Sequence, residues 1–261
     1  RHADGTSVAI ALQGKGGSGP RATRFEAHPR AVRLPAELDV GRPWYRLGQR
    51  LLVSDDFSGA AGPLEGTATG SGEKSWQRVH GPGVFERTGG GSARVKADRQ
   101  QPCPGRTLYA VDWDEPEFAD VEVTITPPGT DRGQREFGRA GIVVWQDDDN
   151  YVVINLWCGS AQYAGSSVSC FFTIRGWEDV YDAIWTNVGS RVRNGKASRL
   201  RVTFDGLHYM AFIDDEPVLC RSLTDIYPDC PRLQIRRVGL VANWEWGLDT
   251  GSVFEAFRGR A

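Results

Sequence analysis

Residues 235–260 read IRRVGLVANWEWGLDTGSVFEAFRGR, and this stretch decides the fold class. It holds two short apolar runs, residues 238–242 and 252–257, with the length and residue content of strands. The loop between them concentrates aromatic and acidic side chains. Because connecting loops often carry binding residues on a rigid scaffold, the pattern predicts a sheet with a candidate binding loop.

The composition favours an all-β protein along the whole chain. Its 261 residues include 32 Gly and 14 Pro but only one Met, and short apolar runs alternate with turn residues. The formal charge of −2 gives no basic footprint for nucleic acid, so no nucleic-acid partner is expected. No apolar run approaches the ~20 residues of a membrane span.

The first fifty residues differ from the rest. Residues 1–50 are Arg-rich and contain one strand candidate at 7–12, which we expect to pair with a sheet edge; the remainder would drape over the surface, anchored by Trp44 and Tyr45. Residues 51–261 are predicted to form one domain. The chain starts at Arg1, as either a mature product after signal removal or a cut chain, and we expect a secreted or periplasmic protein.

Strand-like runs follow one another from residue 51 onward. The runs 83–87, 93–97, 107–111 and 121–126 have the spacing of an antiparallel meander. Two hairpins are predicted, 141–146 with 151–157 across a DDDN turn, and 199–204 with 209–213 across Asp205-Gly206. Residues 176–187 fit either a short helix or a wide loop.

The five cysteines allow two interpretations. Cys158 with Cys170, and Cys220 with Cys230, have spacings that suit local disulfides in an oxidising compartment, which leaves Cys103 unpaired. The alternative is that all are reduced, buried thiols. No CxxC or His pair stands at zinc-ligand spacing, so no metal or cofactor is expected, although a structural calcium ion at the DDDN turn stays open.

The order of motifs resembles one family. These motifs are Asp55-Asp56-Phe57-Ser58, Arg139-Ala140-Gly141-Ile142, Asn150-Tyr151, Leu200-Arg201-Val202, Asp205-Gly206, a following Asp-Asp-Glu-Pro turn, Val238-Gly239-Leu240, and a last strand with Phe254 and Phe257. From Leu51 to Arg260 the sequence is similar to concanavalin A-like lectin/glucanase domains, and within them to LamG-like and 3-keto-disaccharide-hydrolase-like jelly rolls.

The resemblance implies a two-sheet antiparallel jelly-roll β-sandwich with an N-terminal extension. It also implies that the first strand, near Phe57, pairs close to the last strand, near Phe257. Members of this superfamily bind or cleave glycans on the concave sheet and its rim loops. The chain lacks the paired ExDxE of laminarinase-type glucanases and the Arg, Gln-x-His and Tyr motifs of jelly-roll alginate lyases, which disfavours those two chemistries.

Aromatic residues suggest a saccharide as the ligand. A sugar presents an apolar C–H face ringed by hydroxyls, so aromatic platforms beside carboxylates, amides and Arg suit it. Trp145 and Trp157 lie within predicted strands and are interpreted as core side chains. The predicted substrate-binding residues are Trp244, Trp246, Trp177, Trp185, Tyr181, Arg139 and Arg175. We therefore expect a carbohydrate-recognition protein that binds a poly- or oligosaccharide on a Trp-rich concave face.

A glycoside hydrolase is the first enzymatic alternative. Glu245 lies between Trp244 and Trp246, and apolar surroundings would raise its carboxyl pKa toward that of a general acid. Asp249, or else Asp179 or Asp182, would supply the partner carboxylate. The structural alternative is that Glu245 bonds loop amides or Arg236.

Two further alternatives come from other residues and from the fold. His208 and Tyr209, adjacent on a predicted strand, could act in β-elimination from a uronate, with Arg139 or Arg175 neutralising the substrate carboxylate. Otherwise His208 is a hydrogen-bonded sheet residue. A protein-interaction or adhesion module is the third function, since LamG-like sandwiches also serve in adhesion.

Overall fold

The protein is an all-β sandwich of two antiparallel sheets, as the sequence predicts. The structure, a computed structural model, describes residues 47–96, 106–128, 139–160, 165–178, 184–243 and 251–261. Within these ranges the only helical element is a short 3₁₀ turn, Leu223–Asp225. No helix in the described part of the chain is long and apolar enough to cross a membrane.

Seventeen strands make up the described sheets. They are β1 (Leu51–Asp55), β2 (Gly62–Pro63), β3 (Gln77–His80), β4 (Val84–Arg87), β5 (Ala93–Lys96), β6 (Thr107–Asp112), β7 (Ala119–Thr126), β8 (Arg139–Asp147), β9 (Asn150–Ser160), β10 (Gly165–Ile174), β11 (Trp177–Glu178), β12 (Ile184–Gly189), β13 (Ser198–Phe204), β14 (His208–Ile213), β15 (Glu216–Ser222), β16 (Arg237–Asn243) and β17 (Val253–Arg260).

The strands divide into two sheets that we call sheet I and sheet II. Sheet I has the order β15-β14-β13-β7-β17-β5-β4-β2, with β1 also paired to β17. Sheet II has the order β11-β10-β9-β8-β16-β6-β3, with β12 also paired to β10. Apolar side chains on the facing sides of both sheets pack into one core, which includes Trp76, Tyr109, Phe172 and Phe254.

The first described strand pairs with the last, which confirms the predicted closure. Asp55 lies opposite Phe257 in the β1–β17 ladder. Residues just before β1 join the same region, because the amides of Gln49 and Arg50 both donate to the Ala261 carbonyl at 2.9 Å. The amide of Gly48 donates to the buried carboxylate of Asp120 at 2.7 Å.

A buried carboxylate holds the end of β1. Asp55 is 2% exposed, and its Oδ2 accepts from Trp76 Nε1 at 2.7 Å and from an Arg87 Nη2 at 3.2 Å. Its Oδ1 accepts from the amide of Phe57, a residue with a positive φ of 55°. The Asp55 carboxylate at the end of β1 is therefore hydrogen-bonded to Arg87 on β4 and to two core aromatic residues, Trp76 and Phe57.

Both predicted hairpins are present, but two local predictions were wrong. β8 pairs with β9 across the DDDN turn, and β13 pairs with β14 across Asp205-Gly206. The predicted meander is broken because β5 and β7 belong to sheet I, whereas β6, between them in sequence, belongs to sheet II. For residues 176–187 a short helix or a wide loop was predicted, but the described parts, 177–178 in β11 and 184–187 in β12, are strands that pair with β10; residues 179–183 lie outside the described residues.

The structure has no disulfide between Cys158 and Cys170 or between Cys220 and Cys230, so the disulfide interpretation of these two pairs was wrong. Cys170 lies opposite Ile154 in the β9–β10 ladder, four positions from Cys158, which corresponds to ~13 Å along the strand. A disulfide needs Cα atoms within about 7 Å. Cys220 pairs with Met210 across β14–β15, while the Cys230 thiol is directed to the Pro231 carbonyl. Cys103 lies outside the described residues.

We expect the Cys230 thiol to react slowly in the native protein. Burial raises its pKa to about 11, so roughly 0.1% would be thiolate at pH 8. Alkylation with iodoacetamide, followed by peptide mass mapping, should label Cys230 much faster in urea than in buffer. A peptide linked through Cys158–Cys170 or Cys220–Cys230 in unreduced protein would contradict the structure.

Candidate functional site

The outer face of sheet II differs chemically from its inner face. In β9 the side chains directed to the core are aliphatic or thiol: Val152, Ile154, Leu156 and Cys158. Those directed outward are Tyr151, Val153, Asn155 and Trp157. Because successive side chains alternate across a strand, this single element separates a core-forming face from an aromatic and polar one.

The outer face of sheet II is curled into a concave surface. β3 and β9 are four strand spacings apart in the sheet, ~19 Å along a flat surface. Yet the rings of His80 on β3 and Tyr151 on β9 lie 5.8 Å apart. Arg106, immediately before β6, likewise brings its Cζ to 5.7 Å from the centre of the Phe171 ring on β10. Contacts between side chains of strands that lie four spacings apart indicate that sheet II curves toward its outer face.

Two glycines in the central strands allow neighbouring backbones to approach closely on this face. A Cβ at Gly141 would lie 1.9 Å from the Ile154 carbonyl oxygen, and one at Gly239 would lie 2.0 Å from that of Tyr109. These contacts are with backbone, which cannot turn aside as a side chain can. Glycine is therefore required at both positions for the curled sheet.

The floor of the concave face is apolar and buried. Its side chains form a second hydrophobic cluster, separate from the core between the sheets: Leu108, Ala110, Val143, Tyr151, Val153, Phe171 and Val241. Guanidinium groups lie over the rings at this floor. Arg106 approaches Phe171 and also donates from Nη1 to the Tyr151 hydroxyl at 3.2 Å.

A polar row crosses this floor between β9 and β10. Asn155 is 0% exposed and Ser169 is 1% exposed, and they lie directly opposite each other in the ladder. Within the described part of the chain, neither amide atom of Asn155 nor the Ser169 hydroxyl has a hydrogen-bond partner. An unpartnered buried polar group costs about 1–3 kcal/mol, so this row is a candidate for contact with a ligand or an ordered water.

The polar row is flanked by stacked aromatic and cationic side chains. The Arg139 Cζ lies 4.0 Å from the centre of the Trp157 ring. These two residues lie opposite each other, and Trp157 is two positions along β9 from Asn155. Toward the other end, the Arg237 Cζ lies 5.0 Å from the Trp145 ring, and its Nε donates to Asp112 at 2.9 Å. Trp145 and Trp157 thus lie on the concave face, and their assignment to the core was wrong.

The structure separates the predicted substrate-binding residues. Arg139 lies on the concave face, opposite Trp157. Arg175 and Trp177 lie together at the other end of β10, at the edge of the sandwich. Tyr181, Trp244 and Trp246 lie outside the described residues, and of Trp185 the structure describes the backbone, which pairs with Ser169.

The predicted catalytic residues do not form one group. Glu245, Asp249, Asp179 and Asp182 lie outside the described residues. Tyr209 is fully buried between the sheets, and burial raises its pKa well above the ordinary value. His208 points to the outer face of sheet I, where its Nδ1 lies 3.2 Å from Oδ2 of the buried Asp205. A substrate on either outer face would therefore not contact both His208 and Tyr209.

The Asp147 carboxylate of the DDDN turn accepts hydrogen bonds from residues of the turn and from Gln146 beside it. The Asp147 carboxylate accepts from Asn150 Nδ2 at 2.7 Å, Gln146 Nε2 at 3.0 Å and the Asp149 amide at 3.1 Å. Burial pushes the Asp147 pKa upward, but these hydrogen bonds outweigh it and hold the pKa below its ordinary value. Among the described residues no cluster of three or more His, Cys, Asp or Glu could hold a metal ion.

Comparison with known proteins identifies the fold by structure. No protein-family model and no curated protein sequence matches the chain. A β-1,3-glucanase from Mycobacterium marinum aligns with TM-score 0.51 and 13% identity, over 81% of this chain and 99% of its own. The CBM2 module of Lactobacillus casei BL23 phage J-1 evolved Dit aligns with TM-score 0.50 and 12% identity, over 81% and 95%.

A larger protein shares the same sandwich. A mutant of the GH43 protein BlXynB from Bacillus licheniformis aligns with TM-score 0.50 and 14% identity, over 80% of this chain. The aligned part spans 39% of that chain, so this sandwich corresponds to part of a longer protein. Together these likenesses show the concanavalin A-like lectin/glucanase-type fold that the sequence motifs predict.

Proposed function

We propose that the chain is a carbohydrate-recognition protein that binds a poly- or oligosaccharide along the concave face of sheet II. The observation that carries the proposal is the buried pair Asn155 and Ser169, whose polar atoms have no partner among the described residues. An amide and a hydroxyl together can donate to and accept from sugar hydroxyls. The rings at either end of this row offer stacking surfaces for the apolar faces of pyranose rings.

The size of the face suits an extended ligand. The row of Arg139 and Trp157 and the row of Arg237 and Trp145 are six positions apart along β8, ~20 Å. A saccharide lying along the strands would meet an aromatic ring, then the polar row, then a second aromatic ring. The names of the structural neighbours, a β-1,3-glucanase and a CBM2 module, agree with a saccharide ligand.

Binding is favoured over hydrolysis by the charges on this face. Glycoside hydrolysis in most families needs two carboxyl groups facing each other across the sugar. Among the described side chains on the paired rows of β6, β16, β8, β9 and β10, the carboxylates are those of Asp112 and Asp147. Asp112 is already paired with Arg237, and Asp147, at the end of β8, accepts hydrogen bonds from Gln146 and Asn150. The proposal therefore assigns this face to recognition. A polysaccharide ligand would place the protein outside the cytoplasm.

Replacing Trp157 with alanine tests the proposal. We expect wild-type protein to bind at least one member of a panel of soluble and insoluble polysaccharides, and Trp157→Ala to weaken that binding by about tenfold or more, because the stacking platform is lost. Affinity electrophoresis and depletion assays measure this. Phe212→Ala, a half-buried aromatic deletion on the outer face of sheet I, is the matched control and should bind as wild type.

The outcome can contradict the proposal in two ways. Absence of binding across neutral, uronic and sulfated polysaccharides would oppose a saccharide ligand and favour a protein-interaction module. Unchanged binding by a folded Trp157→Ala variant would oppose the concave face as the site. Far-UV circular dichroism and thermal melting establish that each variant is folded.

A further inference from the structure

A second aromatic surface lies at the edge of the sandwich, where β11 of sheet II approaches the turn after β15 of sheet I. Trp177 is 53% exposed, more than the two other exposed large hydrophobic residues in the described part of the chain. Its ring lies 6.2 Å from that of Tyr227 and 6.1 Å from that of the buried Phe172. We call Trp177, Tyr227 and Arg175 the edge platform.

The backbone beneath the edge platform is held firmly. Arg175 and Gly176 form the two-residue turn between β10 and β11, and both have positive φ, 53° and 74°. Their amides donate to the Asn150 side-chain oxygen and to the Asp149 carbonyl, each at 3.0 Å. A non-glycine residue at positive φ is unfavourable unless its surroundings impose it. Positive φ at both central residues is the ordinary geometry of a two-residue hairpin turn, and the hydrogen bonds to the DDDN turn support this geometry next to Trp177.

The chemistry of the platform fits one sugar ring. Trp177 is about half exposed to solvent. Covering an exposed aromatic face with an apolar ligand surface is favourable. Arg175 Nη1 lies 3.4 Å from the Tyr227 hydroxyl, so a guanidinium and a phenol stand beside the exposed ring. Carboxylates of the exposed Asp148 and Asp149 lie on the neighbouring turn. Polar groups around a flat apolar ring match the hydroxyl rim and C–H face of a pyranose.

The platform is too small to be a protein interface. A specific interface buries about 800 Å² on each partner. The other two exposed large hydrophobic residues, Leu47 and Leu51, do not extend the platform. Leu51 pairs with Arg260 in sheet I, which places it several strands from β15. A single saccharide ring therefore suits the area better than a protein surface.

The platform is also distinct from the concave face. Trp177 pairs with Ile174, a core residue, so its side chain belongs to the inner side of sheet II rather than the outer side. Ser167, opposite Trp157, is seven positions along β10 from Ile174, ~23 Å. The Trp145 end of the concave face is nearer along the strands, but Trp145 and Trp177 are three strands apart and lie on opposite faces of sheet II. One short oligosaccharide on the concave face would therefore not reach the indole of Trp177.

We propose that the edge platform of Trp177, Tyr227 and Arg175 is a second saccharide-contact site that takes one sugar ring on the Trp177 indole. The inference rests on the proposed function only in that the ligand class is a saccharide. Two separate contacts on one domain increase the apparent affinity for a polymer that reaches both, while a short oligosaccharide occupies each one independently.

Fluorine NMR of protein labelled with 5-fluorotryptophan tests the edge platform directly. The Trp177→Phe variant identifies the Trp177 signal, and short gluco-, xylo- and manno-oligosaccharides serve as probes. We expect the Trp177 signal to shift in a saturable way with at least one probe, in wild type and equally in Trp157→Ala. In addition, Trp177→Ala should bind the corresponding polysaccharide about tenfold or more weakly, with unchanged oligosaccharide affinity at the concave face.

The possible outcomes distinguish the two sites. A Trp177 signal unmoved by every probe that moves concave-face signals would overturn the edge platform and leave the concave face standing. A shift at Trp177 with no effect of Trp157→Ala on any binding would support the platform and contradict the concave face. No response of any tryptophan would contradict both. Leu51→Ala, which removes an exposed apolar side chain elsewhere, should leave polysaccharide binding unchanged.

Discussion

Replacing Asn155 with leucine is expected to stabilise the protein and to weaken saccharide binding. Leucine has nearly the shape of asparagine but lacks its polar atoms. Because neither amide atom has a partner among the described residues, the substitution removes a desolvation cost of about 1–3 kcal/mol from the folded state. It also removes the group that we assign to sugar hydroxyls, so saccharide affinity should fall by a factor of about 10 to 100.

The measurement combines urea denaturation with binding to whichever polysaccharide the wild type binds. Asn194→Leu is the matched control, because Asn194 Nδ2 donates to the Pro128 carbonyl at 2.9 Å, away from sheet II's outer face. That control should lose about 1 kcal/mol of stability and retain binding. A destabilised Asn155→Leu variant would show that the amide is partnered in the free protein, which would remove the main support for the concave site.

Replacing Asp55 with alanine is expected to cost about 3–5 kcal/mol of unfolding free energy. The substitution leaves Trp76 Nε1 without its acceptor inside the core and leaves Arg87 without its buried carboxylate. It also removes the acceptor for the Phe57 amide, which stabilises that residue at positive φ. Breaking one partner of a buried charged network is costly because the remaining groups stay desolvated.

Urea denaturation followed by tryptophan fluorescence measures the effect of Asp55→Ala. Asp56→Ala is the control, since its exposed carboxylate accepts from the Ser58 amide at the surface, and we expect a much smaller change in unfolding free energy than for Asp55→Ala. Comparable losses for the two variants, with unchanged denaturant slopes, would argue against Asp55 as the residue that fixes the first strand.

Sequence patterns predicted local pairings more successfully than the allocation of strands to sheets. The DDDN and Asp205-Gly206 turns identify both hairpins, since turn residues between two apolar runs determine pairing over a short distance. Nothing local places β6 in sheet II while β5 and β7 join sheet I. The strands at 177–178 and 184–187 were missed because the apolar residues of this segment also fit a helical period.

The candidate site was predicted only in part, because it depends on curvature. Arg139 was identified from sequence, but Asn155 lies within a run of apolar residues and looks like an exception in a buried strand. Trp145 and Trp157 look like core because both faces of β8 and β9 are largely apolar. The available signal was the contrast between the two faces of β9, aliphatic on one side and aromatic or polar on the other. This contrast identifies a candidate site only together with the curvature of sheet II, which brings side chains of β3 and β6 close to those of β9 and β10.

The position of β17 has a consequence for how the protein is made. This last strand joins β7 on one side to β5 and β1 on the other, and those groups of strands are connected within sheet I only through it. During synthesis, the nascent chain can pair β8 with β9 and β10 early, but sheet I stays in two parts until β17 has been made. Such long-range pairing slows folding and leaves strand edges exposed meanwhile. Sheet I is therefore completed late in folding.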